Sequence, residues 1–131
     1  MSRRDRAYYA DTATGEVSAL EGDLTARRTF APIAPDDGAP DGLTVDAEGG
    51  VWVALYGGAC VRRYNPAGVL DAVVEVPVTD VTACTFGGPG LATLFITTTR
   101  ENLSEGEQPE AGSVFACTPG VAGLPVRTFA G

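Results

Sequence analysis

Asp41 is held between Pro40 and Gly42, at the end of a loop and just ahead of the apolar run Leu43-Thr44-Val45. A proline before an aspartate fixes the local backbone, and a glycine after it lets another segment or a ligand come close. Which chemistry such a carboxylate could serve is narrowed by what the chain lacks. It contains no His and no Lys, and all nine of its basic residues are Arg. Schiff-base chemistry, P-loop phosphate binding, His-based triads and His zinc sites are therefore excluded. Acid–base work falls to Asp, Glu, Tyr or Cys. The serines, at positions 2, 18, 104 and 113, do not stand in a G-x-S-x-G elbow. The competing reading of Asp41 is an ordinary turn aspartate hydrogen-bonded to its own backbone.

The other candidates have plainer expectations. Asp46 and Glu48, in Asp46-Ala47-Glu48-Gly49, are expected to make the hairpin turn between two strands. Asp36 and Asp37 lack the alternating Asp pattern and terminal Glu of a calcium-binding loop. Tyr56-Gly57-Gly58 reads as a glycine turn with Tyr56 packed between structural units; a place at a channel mouth is the rival. The acidic run from Glu101 to Glu110 reads as a solvated insertion, with a lid as the alternative. Cys60, Cys84 and Cys117 lack CxxC spacing and sit in apolar runs, so they read as buried structural thiols.

The elements that must position these residues are strands. Helical periodicity is nearly absent, and short β-branched and aromatic runs alternate with Gly, Pro, Asn and Asp. Ala7-Tyr8-Tyr9-Ala10, Val51-Trp52-Val53-Ala54 and Leu94-Phe95-Ile96-Thr97 begin 44 and 43 residues apart, the spacing of four-stranded propeller blades. Each is followed by a third run (Gly15–Leu20, Ala59–Tyr64, Gly112–Cys117), a turn (Gly22-Asp23, Asn65–Gly68, Pro119-Gly120) and an outer run (Thr25–Phe30, Leu70–Val76, Pro125–Phe129). Leu43–Val45 and Val81–Phe86 read as inner strands, the latter followed by the Gly87–Gly90 turn. The first unit lacks one, which gives three, four and four strands in units of approximately 1–37, 38–79 and 80–131. Tyr8, Trp52 and Phe95 recur at blade register and are expected in the core. A two-sheet sandwich is the rival architecture.

The order and spacing of several segments resemble the senescence-marker-protein-30/gluconolactonase/luciferin-regenerating-enzyme (regucalcin-like) family of six-bladed β-propellers. The segments are Ala39-Pro40-Asp41-Gly42, Tyr8-Tyr9-Ala10-Asp11-Thr12, Thr85-Phe86-Gly87-Gly88, Gln108-Pro109-Glu110-Ala111-Gly112 and the terminal Phe129-Ala130-Gly131. The resemblance covers nearly all of residues 1–131 and corresponds to the C-terminal half of such a propeller. It implies an all-β partial propeller of three blades and a divalent-metal-dependent lactonase-type hydrolase. Asp41 is then a metal ligand and catalytic residue. The ion is Ca²⁺ first, with Mn²⁺, Mg²⁺ or Zn²⁺ as alternatives. The family's glutamate and asparagine ligands have no counterpart in these residues. The function is thus expected to need dimerisation or a complementary N-terminal half, acting on a small-molecule lactone. The alternative is an inactive truncated or split propeller that serves as a binding or structural module.

Nine basic against seventeen acidic residues, a net charge of −8, argue against nucleic acid and anionic membranes as partners. No apolar run reaches 18 residues, and none follows the charged start Met1–Arg6 as a secretory leader would require. A cytoplasmic location is the default expectation.

Overall fold

A computed structural model describes residues 6–21 and 26–125. Its strands follow chain order: β1 (Arg6–Asp11), β2 (Glu16–Glu21), β3 (Ala26–Pro32), β4 (Ala39–Val45), β5 (Val51–Tyr56), β6 (Cys60–Tyr64), β7 (Leu70–Glu75), β8 (Val81–Gly87), β9 (Thr93–Thr98) and β10 (Val114–Cys117). They pair as three separate antiparallel sheets, β1-β2-β3, β4-β5-β6-β7 and β8-β9-β10. Three sheets rather than two exclude the sandwich, and the up-and-down order within each is that of propeller blades.

Within the middle sheet β5 is buried on both faces, which explains why it is an unbroken apolar run, whereas the outer strand β7 is largely exposed. Strand side chains alternate between faces. Val51, Val53 and Leu55 therefore join Val17, Ala19, Phe30, Ala31 and Ile33 in a cluster against the first sheet. Trp52 and Ala54 point the other way, to Val81, Cys84, Leu94 and Ile96 of the third sheet. Burial of each large side chain such as Trp52 or Leu55 is worth about 1.5–3 kcal/mol, so the two clusters fix the sheets against one another. An aromatic edge contact, Trp52 on Phe86 at 5.8 Å between ring centroids, crosses from the middle sheet to the third, while Tyr8 on Phe30 at 4.9 Å lies within the first.

Two expectations need correction. Asp41 does not end a loop before its strand but lies inside β4, because Ala39 and Pro40 already pair with Tyr56 and Leu55. Phe95 is only half-buried: Leu94 and Ile96 take the core positions of β9, leaving Phe95 on the opposite face, packed across the strand on Gly87. Residues 1–5, the Gly22-Asp23 turn, the outer run after Pro125 and the terminal Phe129-Ala130-Gly131 lie outside the described residues.

Candidate active site around Asp41

Asp41 and Gly42 form a bulge in β4. The register runs from the Pro40–Leu55 pair directly to the Leu43–Val53 pair, so two residues stand opposite Ala54 alone. A bulge bends the strand and re-aims the side chain it carries. The backbone on either side is pinned. Thr12 Oγ1 donates to the Pro40 carbonyl at 2.8 Å, and Pro40 itself is fully buried. Gly42 is required by close approach: a Cβ there would lie 2.7 Å from the Ala83 Cβ and 3.0 Å from the Thr82 carbonyl oxygen. β8 thus abuts β4 backbone to backbone beside the carboxylate, and carries its own irregularity between Val81 and Ala83.

The Asp41 side chain is half-buried, and burial pushes its carboxyl above the usual carboxylate value. Among the described residues neither a hydrogen bond nor an ion pair reaches it. A carboxylate so placed gains from an arriving cation or from a proton taken off water. As a metal ligand it supplies one or two hard oxygens, whereas Ca²⁺ takes six to eight. Among the described residues no group of three or more Asp, Glu, Cys or His stands together. The described residues therefore do not make a complete metal site.

The remaining carboxylates are mostly occupied. Asp46 does make the expected hairpin turn, but it is also a fully buried hub. Its Oδ1 accepts from the Glu48 and Gly50 amides at 2.9 and 2.8 Å; its Oδ2 accepts from Trp52 Nε1 and Arg63 Nε, both at 2.8 Å. Burial pushes the Asp46 carboxyl up, but the bonds from Arg63, Trp52 and the two amides outweigh it and hold it below the usual value. Arg63 continues to Glu48 at 3.3 Å and Asp71 at 2.7 Å. Asp37 pairs with Arg62 at 3.1 Å. Arg62 and Arg63 were not among the residues singled out by sequence; strand alternation, which sends neighbours to opposite faces, was the available signal.

Tyr56 turns neither wholly inward nor to open solvent. Its hydroxyl accepts from Asn102 Nδ2 at 2.5 Å and donates to Glu101 Oε1 at 3.3 Å. The acidic insertion is therefore strapped to the middle sheet. Arg100 organises it by donating to the carbonyls of Ser104, Glu107 and Ala111. Gln108, with φ +48°, exchanges hydrogen bonds with Thr79. Cys60 and Cys84 are buried and Cys117 is half-buried. Burial pushes all three thiols up, Cys84 to about 12, which makes them poor nucleophiles.

Comparison with known proteins gives this geometry a context. Residues 2–100 match the model of the SMP-30/Gluconolactonase/LRE-like region. Regucalcin of Xenopus laevis is 36% identical over 134 residues, covering 95% of this chain and 45% of that protein. The crystal structure of a calcium-binding protein, regucalcin, from Agrobacterium tumefaciens superposes with a TM-score of 0.84 at 29% identity, over 91% of this chain and 43% of its own. A gluconolactonase from Xanthomonas campestris superposes with a TM-score of 0.60 at 32% identity, over 70% of this chain and 30% of its own. The chain spans about half the length of the curated relatives it matches. Fold, motif order and sequence agree: the chain belongs to the SMP-30/gluconolactonase/LRE-like family.

Proposed function

We propose that this chain carries part of the active site of a lactonase-type hydrolase, with Asp41 as its catalytic and metal-binding residue. The observation that carries the reading is the Asp41 carboxylate itself: bulge-aimed, half-buried, and without a cation partner among the described residues. Water adds to the lactone carbonyl carbon, the ring C–O bond breaks, and the ring oxygen leaves as the hydroxyl of a hydroxy acid. Asp41 takes the proton from the water and returns it to that leaving oxygen. A divalent ion, Ca²⁺ first and Mn²⁺, Mg²⁺ or Zn²⁺ as alternatives, would polarise the carbonyl as a Lewis acid. Its further oxygen ligands come from outside the described residues, contributed by a second copy or by a complementary N-terminal segment.

Partnership is supported by exposed apolar groups on the first and third sheets, Tyr9 at 50% and Val114 at 62%. The substrate class is a small neutral lactone, by kinship with proteins named for lactone hydrolysis. No helix of the described residues is long and apolar enough to cross a membrane, and a cytoplasmic setting belongs to the same proposal. The solitary ligand favours a second reading, a propeller segment that binds or scaffolds without turnover.

Native mass spectrometry with Ca²⁺, Mn²⁺ or Zn²⁺, paired with a pH-stat assay on glucono-1,5-lactone, separates the two. The expected result is metal uptake and acid release, both lost in Asp41→Ala. Uptake unchanged in Asp41→Ala would overturn the assignment of the ligand, and wild-type protein without turnover would favour the scaffold.

A further inference from the structure

β7 is the last strand of the middle sheet and pairs only with β6, so its other edge is unpaired. The backbone groups on that edge can be assigned. The Val76 amide donates to the carbonyl of Ala59, the residue that leads into β6, at 3.0 Å. In an antiparallel pair successive residues turn their N–H and C=O to alternate sides. Ala72 and Val74 therefore face β6, while the N–H and C=O of Val73 and Glu75 point outward. Such an edge is a template for another strand unless the protein blunts it. On β7 the blunting is confined to the start. The register steps from Arg63–Ala72 to Tyr64–Leu70, which leaves Asp71 as a bulge, drawn to Arg63 at 2.7 Å. From Ala72 to Glu75 the pairing is regular. Of six exposed large apolar side chains among the described residues, three (Val69, Leu70 and Val73) lie on β7 or lead into it. A contact made through the first and third sheets does not use this edge.

Beside the edge lies a cavity of 530 Å³, whose lining includes Asp36, Asp37, Cys60, Arg62, Val73 and Glu75. Arg62 is matched by Asp37 at 3.1 Å. Among the described residues no ion pair reaches Asp36 or Glu75, so their negative charge is unbalanced next to an apolar edge. That charge selects the occupant. A second copy brings its own net charge of −8 and is repelled, whereas a cationic strand is attracted. We propose that β7 is a docking edge for an extended, basic segment of a partner protein, which adds as a fifth strand to the middle sheet and lays a Lys or Arg beside Glu75 and Asp36. Backbone bonds to Val73 and Glu75 hold the segment, and side-chain alternation sorts it. Its basic residues fall on the cavity face, and the apolar residues between them fall on the face of Ala72 and Val74.

The probe is the peptide acetyl-Arg-Val-Arg-Val-Arg-amide, titrated into the full chain and followed by amide correlation NMR. The Val73 and Glu75 amides should shift and gain protection from solvent exchange. Acetyl-Glu-Val-Glu-Val-Glu-amide should not bind, nor should the basic peptide methylated on every backbone nitrogen, which keeps the charge but loses the N–H donors. Val73→Pro removes an outward N–H, a substitution that edge strands tolerate; it should abolish binding while Trp52 fluorescence still reports a folded chain. Glu75→Gln should weaken binding about two- to fivefold at low salt, and by less as salt screens the charge. Absence of shifts on β7 in wild type overturns the docking edge, as do shifts confined to the first and third sheets. Equal binding of the methylated peptide overturns it too, because charge alone then suffices; this arm decides even if Val73→Pro fails to fold. Dimerisation through Val73 and Glu75 without peptide puts a second copy in place of the basic partner and likewise overturns the proposal.

Discussion

Removing the Asp46 carboxylate tests whether the buried hub, beyond the turn it caps, stabilises the middle sheet. Asp46→Ala deletes the acceptor of five hydrogen bonds, from Glu48 N, Gly50 N, Trp52 Nε1 and the Nε and Nη2 of Arg63. Trp52 is 2% exposed, so its indole N–H is left unsatisfied, at about 1–3 kcal/mol. Breaking a buried ion pair from one side costs about 3–5 kcal/mol. Arg63 keeps Asp71 and Glu48, both substantially exposed, which places its share at the low end. A total of about 4 kcal/mol follows, a large part of the 5–15 kcal/mol typical of a domain. At this chain length that is roughly a 15 °C fall in Tm.

The chain has one tryptophan, Trp52, so its fluorescence reports unfolding from within the hub. Because the Asp46 carboxyl is held below its usual value, its stabilisation is complete above the unfolded value of about 3.9 and is lost as pH falls through the lower folded value. The stability gap between wild type and variant should therefore close below about pH 4. Asp46→Asn keeps an acceptor for the two amides but turns an N–H₂ toward Trp52 and Arg63, so it should lie between the two. A Tm within about 3 °C of wild type for Asp46→Ala, less than 1 kcal/mol, would refute the hub.

Three further outcomes are expected. Gly42→Ala forces a Cβ against Ala83 and the Thr82 carbonyl; it should cost about 1–3 kcal/mol in urea unfolding and weaken metal uptake with Asp41 intact. Asp41→Asn should unfold at or above the wild-type temperature at pH 7, because burial disfavours the native carboxylate; the advantage should shrink as pH falls and Asp41 protonates. Tyr56→Phe removes both bonds to Glu101 and Asn102; Glu-specific proteolysis within residues 101–110 should speed up while Tm changes by only a few degrees.

Strand identity was legible because burial pattern writes itself into local sequence: β5 is uniformly apolar only because both of its faces are covered. The Asp41 motif was legible for a different reason, since Pro40 and Gly42 advertise an unusual backbone. What Gly42 makes room for was not, because Ala83 is distant in sequence and meets it only after two sheets pack. Arg63 was hidden for the same reason: nothing beside it distinguishes it from Arg62, yet one pairs with Asp46 and the other with Asp37. The insertion after β9 read as solvated because its composition is acidic, and composition does not reveal that Arg100 gathers its carbonyls. Phe95 shows the limit of repeat alignment, which located the strand but shifted the buried face by one residue.

The exposed apolar groups at the two ends of this array belong to different surfaces, Tyr9 on the first sheet and Val114 on the third. A contact joining one to the other is head-to-tail, and its outcome is set by an angle rather than by affinity. If three sheets sweep half a turn, two copies close and growth stops. If they sweep slightly more or less, the same contact leaves an end open for the next copy, and the product is a helical fibre that lengthens with concentration.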